Sequence, residues 1–156
     1  MTEVDRELVE HMANPNNYGS MEDPDAIGIG ENPENGEKVI IYLRVEEKEG
    51  APFIEDIRFQ AIGCMTTVVA GSIITSEAKE IDFDMGEQLV AVTLGMLENV
   101  PPEEAACSEM VALSLKAAMD TYLARRDDPG IPAIIYRIEN SCVTPEGETD
   151  AVEDME

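Results

Sequence analysis

Residues 39–64 read VIIYLRVEEKEGAPFIEDIRFQAIGC, and the fold follows from how this stretch is divided. Val39–Val45 is an unbroken apolar, β-branched run. Phe53–Ile62 alternates apolar with polar residues over much of its length, the period of a strand with one packed face. Glu46–Pro52 between them reads as a turn, so the two runs predict an antiparallel hairpin with one face packed and the other solvated. Gly63 ends the second strand, and Cys64 opens a helix running to about Glu80. The small residues Ala70, Gly71 and Ser72 let a neighbour approach that helix closely.

Further helices are expected on the C-terminal side. One covers roughly Gly86–Leu97. Another begins after Pro101-Pro102 and runs to about Arg126, with Met110, Leu113, Ala117 and Leu123 on its buried stripe. Asp127-Asp128-Pro129-Gly130 stops it, and Pro132–Glu139 has the composition of a short edge strand. On the N-terminal side, Val4, Leu8, Val9 and Met12 have helical spacing over residues 3–13, stopped by Asn14-Pro15. Residues 14–37 read as loop with a short strand near Ile27–Ile29. From Glu146 onward the tail is acidic, lacks basic residues and is expected to be disordered. The predicted class is α+β: a small antiparallel β-sheet with helices packed on one face.

A chain of 156 residues is long enough for one domain with a real core. Aromatic residues are scarce, with no Trp, three Phe and four Tyr, so nine Met and many Ala and Val must fill that core. Lys and Arg total 10 against 34 Asp and Glu, a formal net charge of -24. Such a surface repels phosphate backbones and anionic membranes, so neither nucleic acid nor membrane is expected as a partner. It suits cations or a basic protein, or serves solubility alone. No apolar run approaches the ~20 residues that span a bilayer. The acidic Met1–Glu10 is unlike a signal or transit peptide, and a cytoplasmic location is expected.

Three cysteines, Cys64, Cys107 and Cys142, are too few and too scattered for a disulfide framework. In a reducing compartment they are thiols open to metal or sulfur chemistry. Cys64 sits at a strand-to-helix junction and Cys107 in the first turns of another helix. Helix N-termini favour the thiolate, the form that binds metal or attacks sulfur. Two small buried residues are the alternative reading. Gly28-Ile29-Gly30 is no phosphate loop, since no basic residue and no proper helix follow it. The single histidine, His11, is not placed for a Ser/His/Asp nucleophile set.

Four ordered segments resemble one family. His11–Gly19 is similar to its His–x–x–Asn–Pro–x–Asn–x–Gly signature, and Glu34-Asn35-Gly36-Glu37 to its Ala–Cys–Gly–Asp loop. Ile62-Gly63-Cys64 matches its Tyr–Gly–Cys segment, and Val100–Cys107 its Leu–Pro–Pro–Val–Lys–Leu–His–Cys segment. On these motifs the chain resembles the NifU/IscU-like iron–sulfur cluster assembly scaffolds, with a SufE/NifU-like fold. The resemblance runs from about residue 3 to residue 126 and implies a scaffold domain over residues 1–126; the residues beyond it read as a C-terminal extension over 127–145 with the edge strand, and an acidic tail over 146–156. It implies a [2Fe–2S] cluster, iron or zinc held near three Cys plus an Asp or His.

Carried over, Cys64 and Cys107 match two Cys ligands, and Glu37 matches the loop Asp. Two positions depart. Asn35 stands where the family has its first Cys, and Ala106 where IscU-type members have His. A neutral amide is a poor ligand for iron or zinc, and a methyl is none. The missing donors would come from Cys142, from water, or from a second chain in a homodimer pooling four thiolates. The family's Pro–Pro segment is recognised by a dedicated chaperone, and Glu103 and Glu104 reverse its charge here. The counterpart of His11 supports the N-terminal helix rather than the cluster.

Three functions follow from the resemblance. The first is a scaffold or carrier that takes sulfur from a cysteine desulfurase and hands clusters to recipient iron–sulfur apoproteins, which is not enzymatic turnover of a free substrate. The second is a zinc-binding sulfur acceptor like the SufU branch, whose insertion is missing here. The third is a degenerate paralogue that binds a desulfurase or sibling scaffold as a regulator and holds no cofactor.

Overall fold

The computed structural model describes residues 9–10, 13–33, 36–62, 65–100 and 102–138, with the side chains of 65–66 and 102–104 excepted. Three strands come first: β1 (Ala26–Glu31), β2 (Lys38–Lys48) and β3 (Ala51–Ile62). Three helices follow, α1 (Met65–Ala78), α2 (Phe83–Met96) and α3 (Pro102–Asp127), and then β4 (Ile134–Arg137). The sheet order is β3-β2-β1-β4.

The expected α+β class holds, but the sheet is mixed rather than antiparallel. β1, β2 and β3 pair antiparallel, whereas β4 joins the far side of β1 in parallel. The reason lies in α3. Its 26 residues span about 39 Å at 1.5 Å per residue, so it carries the chain back across the whole sheet. β4 therefore starts at the same end as β1 and runs alongside it. It is an edge strand, as its composition suggested.

The hairpin runs further than its sequence suggested. Glu46–Lys48 pairs with Ala51–Phe53, which leaves a two-residue turn at Glu49 and Gly50. Both turn residues take positive φ, 53° and 83°, the twist a tight hairpin needs. The polar Glu46 and Glu47 and the helix-hostile Pro52 disguise the strand ends. Pro52 is tolerated because β3 is the sheet's other edge.

One face of the sheet is the core. Val39, Ile41 and Leu43 of β2 and Ile54, Ile57 and Phe59 of β3 are fully buried, under Ile74, Phe83, Val90, Met110, Leu115 and Met119 from the helices. The buried stripe of α3 differs from the expected one. Met110 and Ala117 are buried, but Leu113 is half-buried and Leu123 is exposed. Val111, Ser114, Leu115, Ala118 and Thr121 fill the interior instead. The Ser114 and Thr121 hydroxyls donate to the carbonyls of Val111 and Ala117, so the polar groups are satisfied inside the helix. α2 begins three residues before Gly86, because the Asp82 carboxylate accepts from the Met85 amide at 2.8 Å and caps it. α1 stops at Ala78, two residues short of Glu80.

Glycines set the helix-to-sheet distance. A Cβ on Gly28 would meet the α3 backbone at Ser114 and Ala118, and one on Gly30 would meet it at Met110 and Ser114. The Gly-Ile-Gly pair thus lets a helix lie directly on a strand. Gly71 of α1, from the expected small-residue helix, lies in the same way against the Phe59 ring.

Of the N-terminal segment, Asn16 and Asn17 are tied to α1. The Asn16 amide donates to Ser72 Oγ at 2.7 Å, and Asn17 Nδ2 to Thr75 Oγ1 at 3.1 Å. Most of the helix expected over residues 3–13, and the whole acidic tail, lie outside the described residues.

Candidate functional site

One end of the sheet gathers the segments that carry the candidate ligands. Glu31 is opposite Lys38, Lys38 is opposite Ile62, and Arg137 is opposite Glu31. These four residues form the last row of the sheet. The β1–β2 loop, residues 32–37, leaves from this row. So does the link from Ile62 to Met65, which contains Cys64 in the sequence.

The start of α3 reaches the same end. Gly28 packs at Ser114 and Ala118, and Gly30 at Met110 and Ser114, so α3 runs antiparallel to β1. Two strand residues advance about 6.6 Å and four helix residues about 6 Å, so the two elements stay in step. Continuing by one step sets Asn32 level with residues 106–110. Cys107 is therefore at the height of the β1–β2 loop.

Within that loop, the Asn32 amide donates to the Glu37 carbonyl at 2.8 Å, and the Gly36 amide donates to the Asn32 carbonyl at 2.9 Å. Gly36 takes φ of 78°, where glycine is favoured. The loop thus closes on Asn32, whose side chain is fully buried. Glu37 is half-buried at its end. Beside it, Glu31 receives Arg137 Nε at 3.0 Å and Lys38 Nζ at 3.8 Å. Lys38 and Arg137 thus offset the charges of Glu31 and Glu37 at this end of the sheet, in a chain of net charge -24.

Cys107 is the sixth residue of α3, so it lies in the second turn. That is within the first turns, as the sequence suggested, where the helix dipole acts more weakly than at the first turn itself. Its side chain is 9% exposed, beside Ala105 and Ala106 at 5% and 3%. Ala106 is thus a methyl packed in the core cluster. Glu103 and Glu104 fall in the first turn of α3, as expected.

The structure brings Glu37 and Cys107 to one end of the sheet. Cys64, Cys142, Asn35 and His11 lie outside the described residues. Among the described residues, no three His, Cys, Asp or Glu side chains gather to hold a metal ion. The donor chemistry is soft at Cys107 and hard at Glu37. With Cys64 it amounts to two thiolates and one carboxylate, one short of the four terminal ligands of a [2Fe–2S] cluster.

The sequence reading passed over three contributors: Asn32, Glu31 and Arg137. Asn32 could have been found as the Asn before Pro33 in a turn-rich loop. The Glu31–Arg137 pair joins residues 106 positions apart and leaves no local signal.

The NifU-like N-terminal domain family matches residues 3–128. The iron–sulfur cluster assembly scaffold protein IscU 1 of Archaeoglobus fulgidus is 33% identical over 122 residues, covering 76% of this chain and 75% of that protein. The iron–sulfur cluster assembly scaffold protein IscU of Escherichia coli K12 is 27% identical over 123 residues, covering 77% and 94%. Among solved structures, an iron–sulfur cluster assembly scaffold protein for the SUF system from Fervidobacterium islandicum superposes with a TM-score of 0.57 at 16% identity, covering 76% and 96%. That likeness is one of fold.

Proposed function

The chain belongs to the NifU-like N-terminal domain family, and from that premise we propose that it is an iron–sulfur cluster assembly scaffold or carrier. The homologues named as cluster assembly scaffolds support the scaffold role. Its cargo is iron or a [2Fe–2S] cluster, its sulfur source a cysteine desulfurase, and its recipients iron–sulfur apoproteins. Cys64 and Cys107 are the thiolate ligands, and Glu37 offers an oxygen.

The observation that carries the proposal is the convergence at one sheet end. Glu37, the Ile62 end of β3 that leads to Cys64 in the sequence, and the Cys107 turn of α3 lie at that end although they are far apart in sequence. Near-complete burial of Cys107 suits a cargo that must be kept from water and oxygen. Lys38 and Arg137 oppose the negative charge that thiolates and sulfides bring together. Thiolates are the soft donors that iron in such clusters selects.

A second reading rests on Asn35 and Ala106. With two family ligands replaced, the chain would bind a desulfurase or a sibling scaffold as a regulator. Anaerobic incubation with ferrous iron and sulfide separates the two. A scaffold becomes coloured, with visible absorption that Cys107→Ser abolishes. A colourless, metal-free protein that still co-purifies with a desulfurase establishes the regulator and overturns the scaffold. Stoichiometric zinc with no colour identifies a zinc-binding sulfur acceptor instead.

A further inference from the structure

We propose that the outer face of α2 is a docking surface for a basic amphipathic helix of a partner protein. The inference stands apart from the scaffold reading and adds an interaction surface to it.

The pattern of α2 carries the argument, because the helix has two apolar stripes. Phe83, Gly86, Val90 and Thr93 face inward and are buried. Met85, Leu89, Val92 and Met96 recur at steps of four, three and four residues, a second stripe about 110° round the same helix. Leu89 packs against the margin of the core, whereas Met85, Val92 and Met96 are 53%, 58% and 67% exposed. Among the described residues, the other exposed large hydrophobics, Val9, Tyr18, Ile62, Leu123 and Ile135, stand one to a segment. Single exposed apolar residues are ordinary, but three on one stripe mark a contact surface.

The surface is also hollow. α2 and the end of α1 border an open groove of 260 Å³, lined by Glu77, Ile81, Met85, Gln88, Leu89 and Val92. Small-molecule pockets occupy about 300–1,000 Å³ and bury most of their ligand. This groove is smaller and open to solvent, so it fits side chains projecting from a partner. From Met85 to Met96 the stripe covers about 16 Å, or three turns, over which a partner helix can lay its own apolar face. Unbranched Met side chains adapt to such a face.

Charge selects the partner. From Glu80 to Leu115 the sequence has eight Asp and Glu and no Lys, Arg or His. Glu77 lines the groove, Asp84 is exposed in the first turn of α2, and Glu98 is exposed just past its end. Among the described residues, no Lys or Arg forms an ion pair with any of these three. Lys79 is engaged by Asp56, and Lys116 by Glu87 and Asp120. The last turn of α2 holds no basic residue, so its carbonyl end favours a cation from outside. A second copy of this chain would set these acids against themselves across a two-fold axis, which is repulsive. Lys or Arg flanking a partner's apolar stripe complements them.

The groove begins far from the candidate ligands. The Ile54 amide donates to the Ile81 carbonyl at 2.8 Å, and Ile54 is eight strand residues, about 27 Å, from Ile62. A partner seated at Ile81 therefore leaves the Glu37 end of the sheet uncovered.

The full chain tests this with a fluorescein-labelled synthetic helix of about 18 residues as the probe, its Leu residues at three- and four-residue spacing and flanked by Lys. Anisotropy should show saturable binding that weakens as salt rises. Val92→Glu should weaken it about tenfold or more, the equivalent of one buried Val side chain. Glu77→Gln should weaken it severalfold, and Leu123→Gln, on α3, should leave it unchanged. Unchanged urea midpoints show that the variants fold. In methyl spectra the Met85 and Met96 signals should move on binding while that of the buried Met110 stays. Binding that survives Val92→Glu overturns the inference. So does equal binding of a peptide of the same composition with scrambled apolar positions, which reduces the contact to general charge attraction. Absence of binding overturns it too, as does a dimer in sedimentation that Val92→Glu dissolves, since the face then holds a second copy. Each of these outcomes leaves the scaffold reading standing, because anaerobic reconstitution tests that separately.

Discussion

The backbone of Met110 lies so close to Gly30 that a methyl group at position 30 would overlap the Met110 carbonyl oxygen. This contact sets the height of Cys107 against the Glu37 loop. Gly30→Ala must push α3 off β1, and backbone has no flexible end that can yield. Overpacking of this kind costs about 1–3 kcal/mol. Urea unfolding should give a lower midpoint, and metal retention should fall with it. Gly95→Ala is the control: nothing stands within 4 Å of its Cβ position, and it lies in the last turn of α2. It should be neutral or stabilising by up to about 1 kcal/mol.

Arg137→Gln should cost little overall. Its ion pair with Glu31 is 40% exposed on the arginine side, and exposed pairs contribute about 0–1 kcal/mol. The effect should be local. β4 has only four residues, on the sheet edge, so it opens more easily than the core. Hydrogen exchange at the Ile138 amide should quicken severalfold, while the amides of Ile41 and Leu43 stay unchanged. Equal acceleration at all three would mean that Arg137 supports the whole fold rather than the strand end.

Alkaline pH should loosen α3 from its neighbours. The Tyr136 hydroxyl donates to Asp120 Oδ2 at 2.5 Å. That bond, then burial and the Asp120 charge, push its pKa up to about 12. Tyr122 also rises to about 12, through burial first and then its hydrogen bond to Glu47. Both are raised above the ordinary 10, so the fold favours the neutral phenol. The contribution is complete below pH 10 and is lost as pH climbs from 10 towards 12. Urea midpoints should fall across that window in the native chain. In the Tyr122→Phe, Tyr136→Phe double variant the fall should be shallower. An identical slope in the two proteins would refute the assignment.

The hairpin and the helices were legible because their information is local. Alternation in Phe53–Ile62 needs only its own residues, and Pro101-Pro102 marks a helix start by itself. The parallel pairing of β4 was not legible, since it depends on the length of α3 and on Gly28 and Gly30 admitting that helix. Sequence motifs could name Cys107 and Glu37 as partners. Their shared level follows from the contact between Gly30 and Met110, which no motif encodes. The depth of Cys107 was hidden as well, because helical spacing cannot reveal that three successive residues, Ala105 to Cys107, are all enclosed.

The two departures from the family should respond differently to reversal. Asn35→Cys restores a thiol in the loop that closes on Asn32, between the described Pro33 and Gly36. Thiolate in place of a neutral amide should raise Zn²⁺ affinity at least tenfold, measured by competition with a chromophoric chelator. Ala106→His should do the opposite. At 3% exposure an imidazole must displace packed neighbours, and the substitution should cost about 1–3 kcal/mol of stability without raising affinity. If Ala106→His gained metal affinity while keeping its urea midpoint, the side chain at 106 would have to face the loop rather than the core. The packing of α3 against β1 described above would then be wrong at its N-terminal turns.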